Sequence, residues 1–213
     1  MRITKFTHAC VRIEADGQVL VLDPGSFSEK ESVDGATGVL VTHEHADHLS
    51  VDNLRATDAP IYTIAAVADK IRDEAPDVAE RVTVVAPGDQ IDAGLPVRVV
   101  GEMHAVIHED IPRIHNSGYL VTVGGRAVYH PGDAFSLPGH AVDVLLAPVC
   151  APWSKTAEVI DFVRAVGAPR TFAIHDLVFS DFGLGLVENL LGGRLEGRDQ
   201  EYRRMLPGED LPL

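Results

Sequence analysis

Apolar and polar positions along the chain fall into short blocks. Residues 3–6, 10–14 and 19–22 hold the four- or five-residue apolar stretches expected of strands. Asp16-Gly17 separates the last two as a hairpin turn. Asp23-Pro24-Gly25 ends the third strand, and residues 26–37 read as a polar loop. Residues 39–42 are continuously apolar up to Thr42, the mark of a strand buried on both faces. Asp47 can start a short helix running through Leu49, Leu54 and Arg55. Strands follow at 61–63, 82–85, 90–92 and 96–103, with a helix at 65–75 stopped by Pro76.

The second half repeats this style. Residues 118–123 and 126–130 form a hairpin across Gly124-Gly125, and 142–147 is a buried strand ending in Pro148. Residues 155–166 are helical, with Val159, Phe162, Val163 and Val166 on one face. A last buried strand at 170–174 precedes a helix at 184–191, stopped by Gly192-Gly193, and a charged tail from Arg194. No linker, composition shift or repeat divides residues 1–213, so the pattern predicts a single α/β domain. Hairpins early in each half, then strand–helix alternation, suit two sheets packed face to face with helices outside.

Composition narrows the function classes. With 213 residues, 46% of them apolar, the chain can bury a sizeable core. Its net charge of −14 argues against a nucleic-acid or anionic-membrane partner. No apolar run approaches membrane-spanning length, and the N-terminal residues lack a signal-peptide core, so a soluble cytoplasmic protein is expected. Cys10 and Cys150 make no disulfide framework and read as buried free thiols.

The chemistry concentrates after the strand at 39–42. His43-x-His45-x-Asp47-His48 places four ligands of the kind zinc-like ions prefer within six residues. Further ligand types stand at other strand ends: His104, Asp133 and His175. Strand ends on one edge of a sandwich converge on one crevice. Seven ligands exceed the needs of one ion and suggest two, roughly 3.5–4 Å apart with a bridging carboxylate. His104 directly follows a strand and is preferred over His108 and His115, which lie in the loop with Pro112; His108 is the substitute for its ligand role. His108 is also a candidate proton donor or substrate contact at the mouth. His130 can brace a ligand from behind or simply bond to backbone. His8 reads as a turn residue near the rim, His140 as exposed, and Trp153 and Lys155 as pocket wall or, respectively, core edge and helix-start surface.

The histidine run, a later His, Gly132-Asp133 and terminal His175 resemble the metallo-β-lactamase superfamily over nearly the whole chain. Thr7-His8-Ala9-Cys10 and Leu22-Asp23-Pro24-Gly25 look like its branch of ascorbate-6-phosphate lactonases and related metal-dependent hydrolases. The resemblance implies a four-layer αββα sandwich with its metals at one edge. It implies that His43, His45 and His104 hold one divalent ion, that Asp47, His48 and His175 hold the other, and that Asp133 bridges both. The ions would be zinc, with manganese or iron as alternatives. Cys150 is not needed as a ligand. Oxygen-reducing relatives commonly carry Glu where this chain has His45, which favours hydrolysis by a metal-activated hydroxide, with Asp47 taking up the released proton. The expected substrate is a lactone or carboxylic ester of a small metabolite, neutral or anionic; the alternatives are a phosphodiester, or a metal-binding sensor without catalysis. The extra domains of the nuclease and thiolesterase members are not expected in a chain this compact. Residues 179–191 are a candidate homo-oligomer contact or, equally, a helix packed on the sandwich.

Overall fold

The structure, a computed structural model, describes residues 1–211. One sheet keeps chain order: β1 (Arg2–Lys5), β2 (Val11–Ala15), β3 (Gln18–Leu22), β4 (Gly38–Val41), β5 (Ile61–Thr63) and β6 (Val82–Val84). β1 to β3 form an antiparallel meander, and β3 to β6 run parallel. The second sheet contains β7 (Gln90–Asp92), β8 (Pro96–Val100), β9 (Gly118–Val123), β10 (Arg126–His130), β11 (Val144–Pro148), β12 (Arg170–Ile174) and β13 (Glu201–Arg203), again in sequential order. Its pairings are antiparallel from β7 to β10 and parallel from β10 to β13.

The two sheets pack through alternating residues. Ile13, Leu20, Leu22 and Leu40 from the first meet Val97, Val121, Leu146 and Phe172 from the second in one buried cluster. The intervening positions face helices. Val39, Val41 and Ile61 lie under α1 (Val51–Arg55), α2 (Ala65–Glu74) and α3 (Pro76–Ala79), with Leu54, Val67 and Ile71 as the helical contacts. On the far side, Leu145, Ala147 and Ala173 lie under α4 (Thr156–Val166) and α5 (Asp181–Leu195). This is the expected αββα sandwich. β4 is buried at all four positions because it is covered on both faces, and each fully buried Val or Leu there contributes about 1.5–3 kcal/mol. A one-residue slip of β4 would exchange the two sets of contacts and re-aim the loop after it, so burial fixes its register.

Several boundaries depart from the sequence expectation. Ser50, not Asp47, caps α1, its hydroxyl accepting from the Asn53 N–H at 3.3 Å; Asp47 is drawn into the cluster described below. The strand predicted at 96–103 stops at Val100, because Gly101 turns left-handed at φ +76° and Met103 makes only an isolated bridge to His115. Pro76 ends α2 but also opens α3, where its missing N–H costs nothing. Gly192-Gly193 does not end α5, which continues to Leu195; Leu191 and Leu195 are both buried against the second sheet, and that packing outweighs glycine's weak helix propensity. The charged tail supplies β13, paired to β12. The loop at 26–37 contains a 3-10 turn, Lys30–Val33. Among the described residues no helix is long and apolar enough to cross a membrane.

Candidate metal centre

Ligands arrive from both sheets at one edge. β4 delivers His43, His45, Asp47 and His48, the segment after β8 delivers His104, β10 leads to Asp133, and β12 ends at His175. They sort into two groups, His43–His45–His104–Asp133 and His8–Asp47–His48–His175, each with its donor atoms within 4.8 Å of one another. The Asp133 carboxylate lies between them. Its Oδ2 is 3.4 Å from His104 Nε2, 3.9 Å from His43 Nε2 and 3.0 Å from His175 Nε2, while Oδ1 is 3.1 Å from His48 Nε2. Metal–nitrogen bonds of about 2.0–2.1 Å at tetrahedral angles put neighbouring ligand atoms about 3.4 Å apart, so these spacings suit shared cations.

Hydrogen bonds behind the rings assign the tautomers. His48 Nδ1 donates to Asp23 Oδ2 at 2.7 Å, His104 Nδ1 to the Ala105 carbonyl at 2.6 Å, and His175 Nδ1 to the Cys150 carbonyl at 2.6 Å. Thr42 Oγ1 donates to Asp23 Oδ2 and accepts from His43 Nδ1 at 2.9 Å. Each of these rings therefore turns its Nε2 lone pair inward, the arrangement that orients metal-binding imidazoles. His45 instead turns Nδ1 inward, 3.1 Å from His43 Nε2. Nε2 of His48, His104 and His175 and Oδ1 of Asp133 are buried without a hydrogen-bond partner. Buried polar atoms are rarely orphaned, and four converging on one point fit divalent cations as the missing partners.

The titration behaviour agrees. Burial, aided by the neighbouring His48, holds His43 well below the usual imidazole range, and burial and His104 likewise lower His45. Both are thus neutral and ready to ligate. For His175 burial acts downward, but the Asp133 and Asp47 carboxylates facing its Nε2 outweigh it and raise the ring to about 9. His48 is raised well above its usual value by Asp133 and Asp23 against the same burial. Asp133 is held well below the usual carboxylate range despite burial, chiefly by His48 and His175. Without metal, two protons sit where cations would bind.

Some of these parts carried no recognisable sequence signal for the site. His8 is buried, with φ +65°; its Nδ1 accepts from the Leu177 N–H at 3.3 Å, so Nε2 carries the proton and donates to Asp47 Oδ2 at 3.0 Å. Its position is that of a ligand, but its tautomer makes it the holder of Asp47. Lys5, also buried, fixes this turn by donating to the His8 carbonyl at 2.7 Å and reaching Asp176 at 3.3 Å. Asp23 accepts from Thr42 and His48 at three points. Asn116 holds the Asp133 turn, accepting from the Asp133 N–H at 3.0 Å and donating to the Pro131 carbonyl. Trp153, expected only as pocket wall or core edge, donates its indole N–H to Asp133 Oδ2 at 3.1 Å. Asp23 and His175 share His8's left-handed backbone, φ +48° and +54°, a cost of about 1–3 kcal/mol each that the surrounding contacts sustain. Two glycines permit the close approaches. A Cβ on Gly25 would stand 1.9 Å from the Asp47 carbonyl, and one on Gly132, at φ +63°, 2.3 Å from Asn116 Oδ1.

The remaining candidates lie outside the cluster. His108 is exposed and belongs to neither group, its Nδ1 accepting from the Asp110 N–H; His115 is exposed and bonds to the Glu102 carbonyl. The structure therefore brings His104 into the cluster and does not bring His108 or His115 into contact with the other candidate residues. His130 Nε2 donates to the Ala9 carbonyl, bracing backbone rather than a ligand. His140 and Lys155 are exposed. Cys10 and Cys150 are buried free thiols, both pushed up to about 12 by burial. A larger groove, about 560 Å³ beside β7 to β9, contains His140 as its one histidine and none of the clustered ligands.

Known proteins resemble this chain in sequence and fold. The family model described as the beta-lactamase superfamily domain matches residues 2–175. Protein Rv0786c of Mycobacterium tuberculosis is 38% identical over 98% of each chain, and the UPF0173 metal-dependent hydrolase TK0141 of Thermococcus kodakarensis is 29% identical over 97% of this chain and 96% of its own. The solved structure of Igni18, a metallo hydrolase from Ignicoccus hospitalis, superposes with a TM-score of 0.75 at 19% identity, covering 99% of this chain and 97% of that one. The chain belongs to the metallo-β-lactamase superfamily and is one of its metal-dependent hydrolases.

Proposed function

We propose that this chain is a dinuclear hydrolase of uncharged carboxylic esters or lactones. The observation that carries the reading is the pair of facing ligand groups with the Asp133 carboxylate between them and orphaned nitrogens aimed inward. His43, His45 and His104 would hold one divalent ion and Asp47, His48 and His175 the other, with Asp133 shared. When bound, such a pair of ions supplies a water-derived nucleophile at neutral pH and polarises the substrate carbonyl. Zinc suits this set of imidazoles and carboxylates, and manganese or iron would also be accepted.

The protein's own groups divide the remaining work. Trp153 and Asn116 fix Asp133, and His8 fixes Asp47 through Oδ2. Asp47 has a side chain 22% exposed, against 2% for Asp133, so it is the carboxylate that takes the proton from the attacking water. Oxygen from water joins the acyl carbon, the bond to the leaving oxygen breaks, and the proton passes from Asp47 to that oxygen. The products are an acid and an alcohol, joined in one molecule when the substrate is a lactone.

Charge placement supports esters over phosphodiesters. Phosphoryl transfer draws on Arg or Lys clamps aimed at the reacting group. Here Arg113 donates to the His104 carbonyl, Lys155 pairs with Glu158, Arg204 pairs with Asp181 and Lys5 pairs with Asp176. The test is a panel of lactones, carboxylic esters, thioesters and phosphodiesters, run beside elemental analysis and a His45→Ala control. Close to two metal equivalents and ester or lactone turnover lost in the control are expected. Faster phosphodiester turnover, or a control with full activity, would overturn the reading.

A further inference from the structure

Among the described residues, thirteen large apolar side chains are substantially exposed, from Phe179 at 41% to Phe182 at 77%. Scattered singly they would call for no explanation. Seven of them, however, lie in four loops that follow metal-site residues directly: 26–29 after the Asp23 turn, 105–115 after His104, 134–140 after Asp133 and 176–180 after His175. Those loops hold only 27 of the 211 described residues, so more than half of the exposed apolar groups occupy about an eighth of the chain.

Each loop abuts the ligand cluster. Phe27 meets the His8 ring edge-on at 5.4 Å between centroids. Val106 follows Ala105, whose carbonyl holds His104. Leu137 lies two residues beyond Phe135, which packs on Trp153 at 5.2 Å, and Trp153 in turn faces His104 at 5.7 Å. Leu177 bonds to His8, and with Phe179 and His8 it lines a cavity of about 140 Å³ beside the cluster. The charged groups on these loops are mainly acidic (Glu29, Glu109, Asp110 and Asp176, against Arg113), which disfavours an anionic substrate.

We propose that the four loops form an apolar collar around the metal centre and that the substrate is an uncharged ester or lactone bearing an extended apolar chain. The carbonyl sits at the ligand cluster and the chain lies along the collar, with continuity between cluster and loops identifying the occupant as substrate. This rests on the hydrolase reading and extends it to a substrate class.

The test uses the full metal-loaded chain. Turnover of p-nitrophenyl esters with acyl chains of two to ten carbons is measured beside calorimetric binding of alkyl hydroxamates over the same lengths. Half-burial of each methylene predicts a gain of about twofold per carbon in kcat/KM and in hydroxamate affinity, up to about eight carbons. In the double variant Leu137→Ser with Val178→Ser, both exposed in the wild type, the eight-carbon to two-carbon ratio should fall at least tenfold in both series while metal content stays at the wild-type value. Flat profiles in both series overturn the collar. So does an unchanged ratio when the double variant converts a dimer to monomer in sedimentation, which would assign the patch to a second copy. An unchanged ratio with loss of binding to neutral phosphatidylcholine vesicles would assign it to a lipid surface and overturn the collar as well. No ester turnover with graded hydroxamate binding leaves the collar standing and refutes the hydrolase reading instead.

Discussion

Replacing Asp23 by Asn isolates a fully buried part of the site. The carboxylate accepts three hydrogen bonds, from the Thr42 N–H at 2.8 Å, the Thr42 hydroxyl at 2.8 Å and His48 Nδ1 at 2.7 Å. An amide of the same shape has one oxygen and a donating NH2. With the oxygen kept on the Thr42 N–H, the NH2 faces the hydroxyl and the His48 ring. The hydroxyl oxygen can accept from the NH2 while still accepting from His43 Nδ1 at 2.9 Å, but His48 Nδ1–H would meet another donor. His48 must then carry its proton on Nε2, the atom that should ligate. Loss of such an orienting partner costs about 10- to 100-fold in metal affinity. In the metal-free protein the same change removes one of two carboxylates holding a buried imidazolium, about 3–5 kcal/mol, or roughly 10 °C in a chain of this size. Competition with a chromophoric chelator should show one site weakened by that factor and the other within about twofold of wild type, and a melting scan of the stripped protein should show the drop. Two sites of unchanged affinity would refute the tautomer reasoning.

Other expectations follow from the same geometry. His104→Gln should lower the metal stoichiometry from about two to about one, whereas His108→Gln should keep both ions, read by elemental analysis. Gly25→Ala drives a methyl into the Asp47 backbone, so metal binding should fall at least 100-fold even where the chain still folds; unaltered affinity would contradict the contact. Loading the stripped protein with zinc at pH 7 should release about two protons, from His48 and His175, measured by calorimetry in buffers of differing ionisation enthalpy. Because His175 is raised from 6.5 to about 9 in the folded chain, its stabilisation of the metal-free protein is complete below pH 6.5 and fades as pH rises through about 9. The melting temperature of the stripped protein should fall across that window.

What the sequence made legible was whatever is contiguous or periodic. The His43-to-His48 run is readable because four ligands share one loop, and β4 because it is apolar at every position. His104 was favoured over His108 by following a strand directly, although that strand ends at Val100 and a bridge at Met103 carries the chain on. The roles of His8, Asp23, Asn116 and Trp153 escaped, although Trp153 was a candidate for the pocket wall, because each acts through a hydrogen bond to a residue 17 to 39 positions away. No local pattern encodes such a partner. The helix stop at Gly192-Gly193 failed for a related reason: local propensity is worth about 1 kcal/mol per glycine, less than the burial of Leu191 and Leu195. β13 was lost in the charged tail because its Glu-Tyr-Arg sets a single apolar residue between two charges.

The ligands come from both halves of the sandwich, His43 to His48 from one sheet and His104, Asp133 and His175 from the other. Two ions seated there would rivet the layers together at their edge, as a cross-link closes a hinge. Prising the layers apart would then require breaking coordination bonds in the act of unfolding, so the loaded protein should resist proteases and denaturants through slow opening rather than through a larger core. Its lifetime in a cell would be governed by the supply of metal.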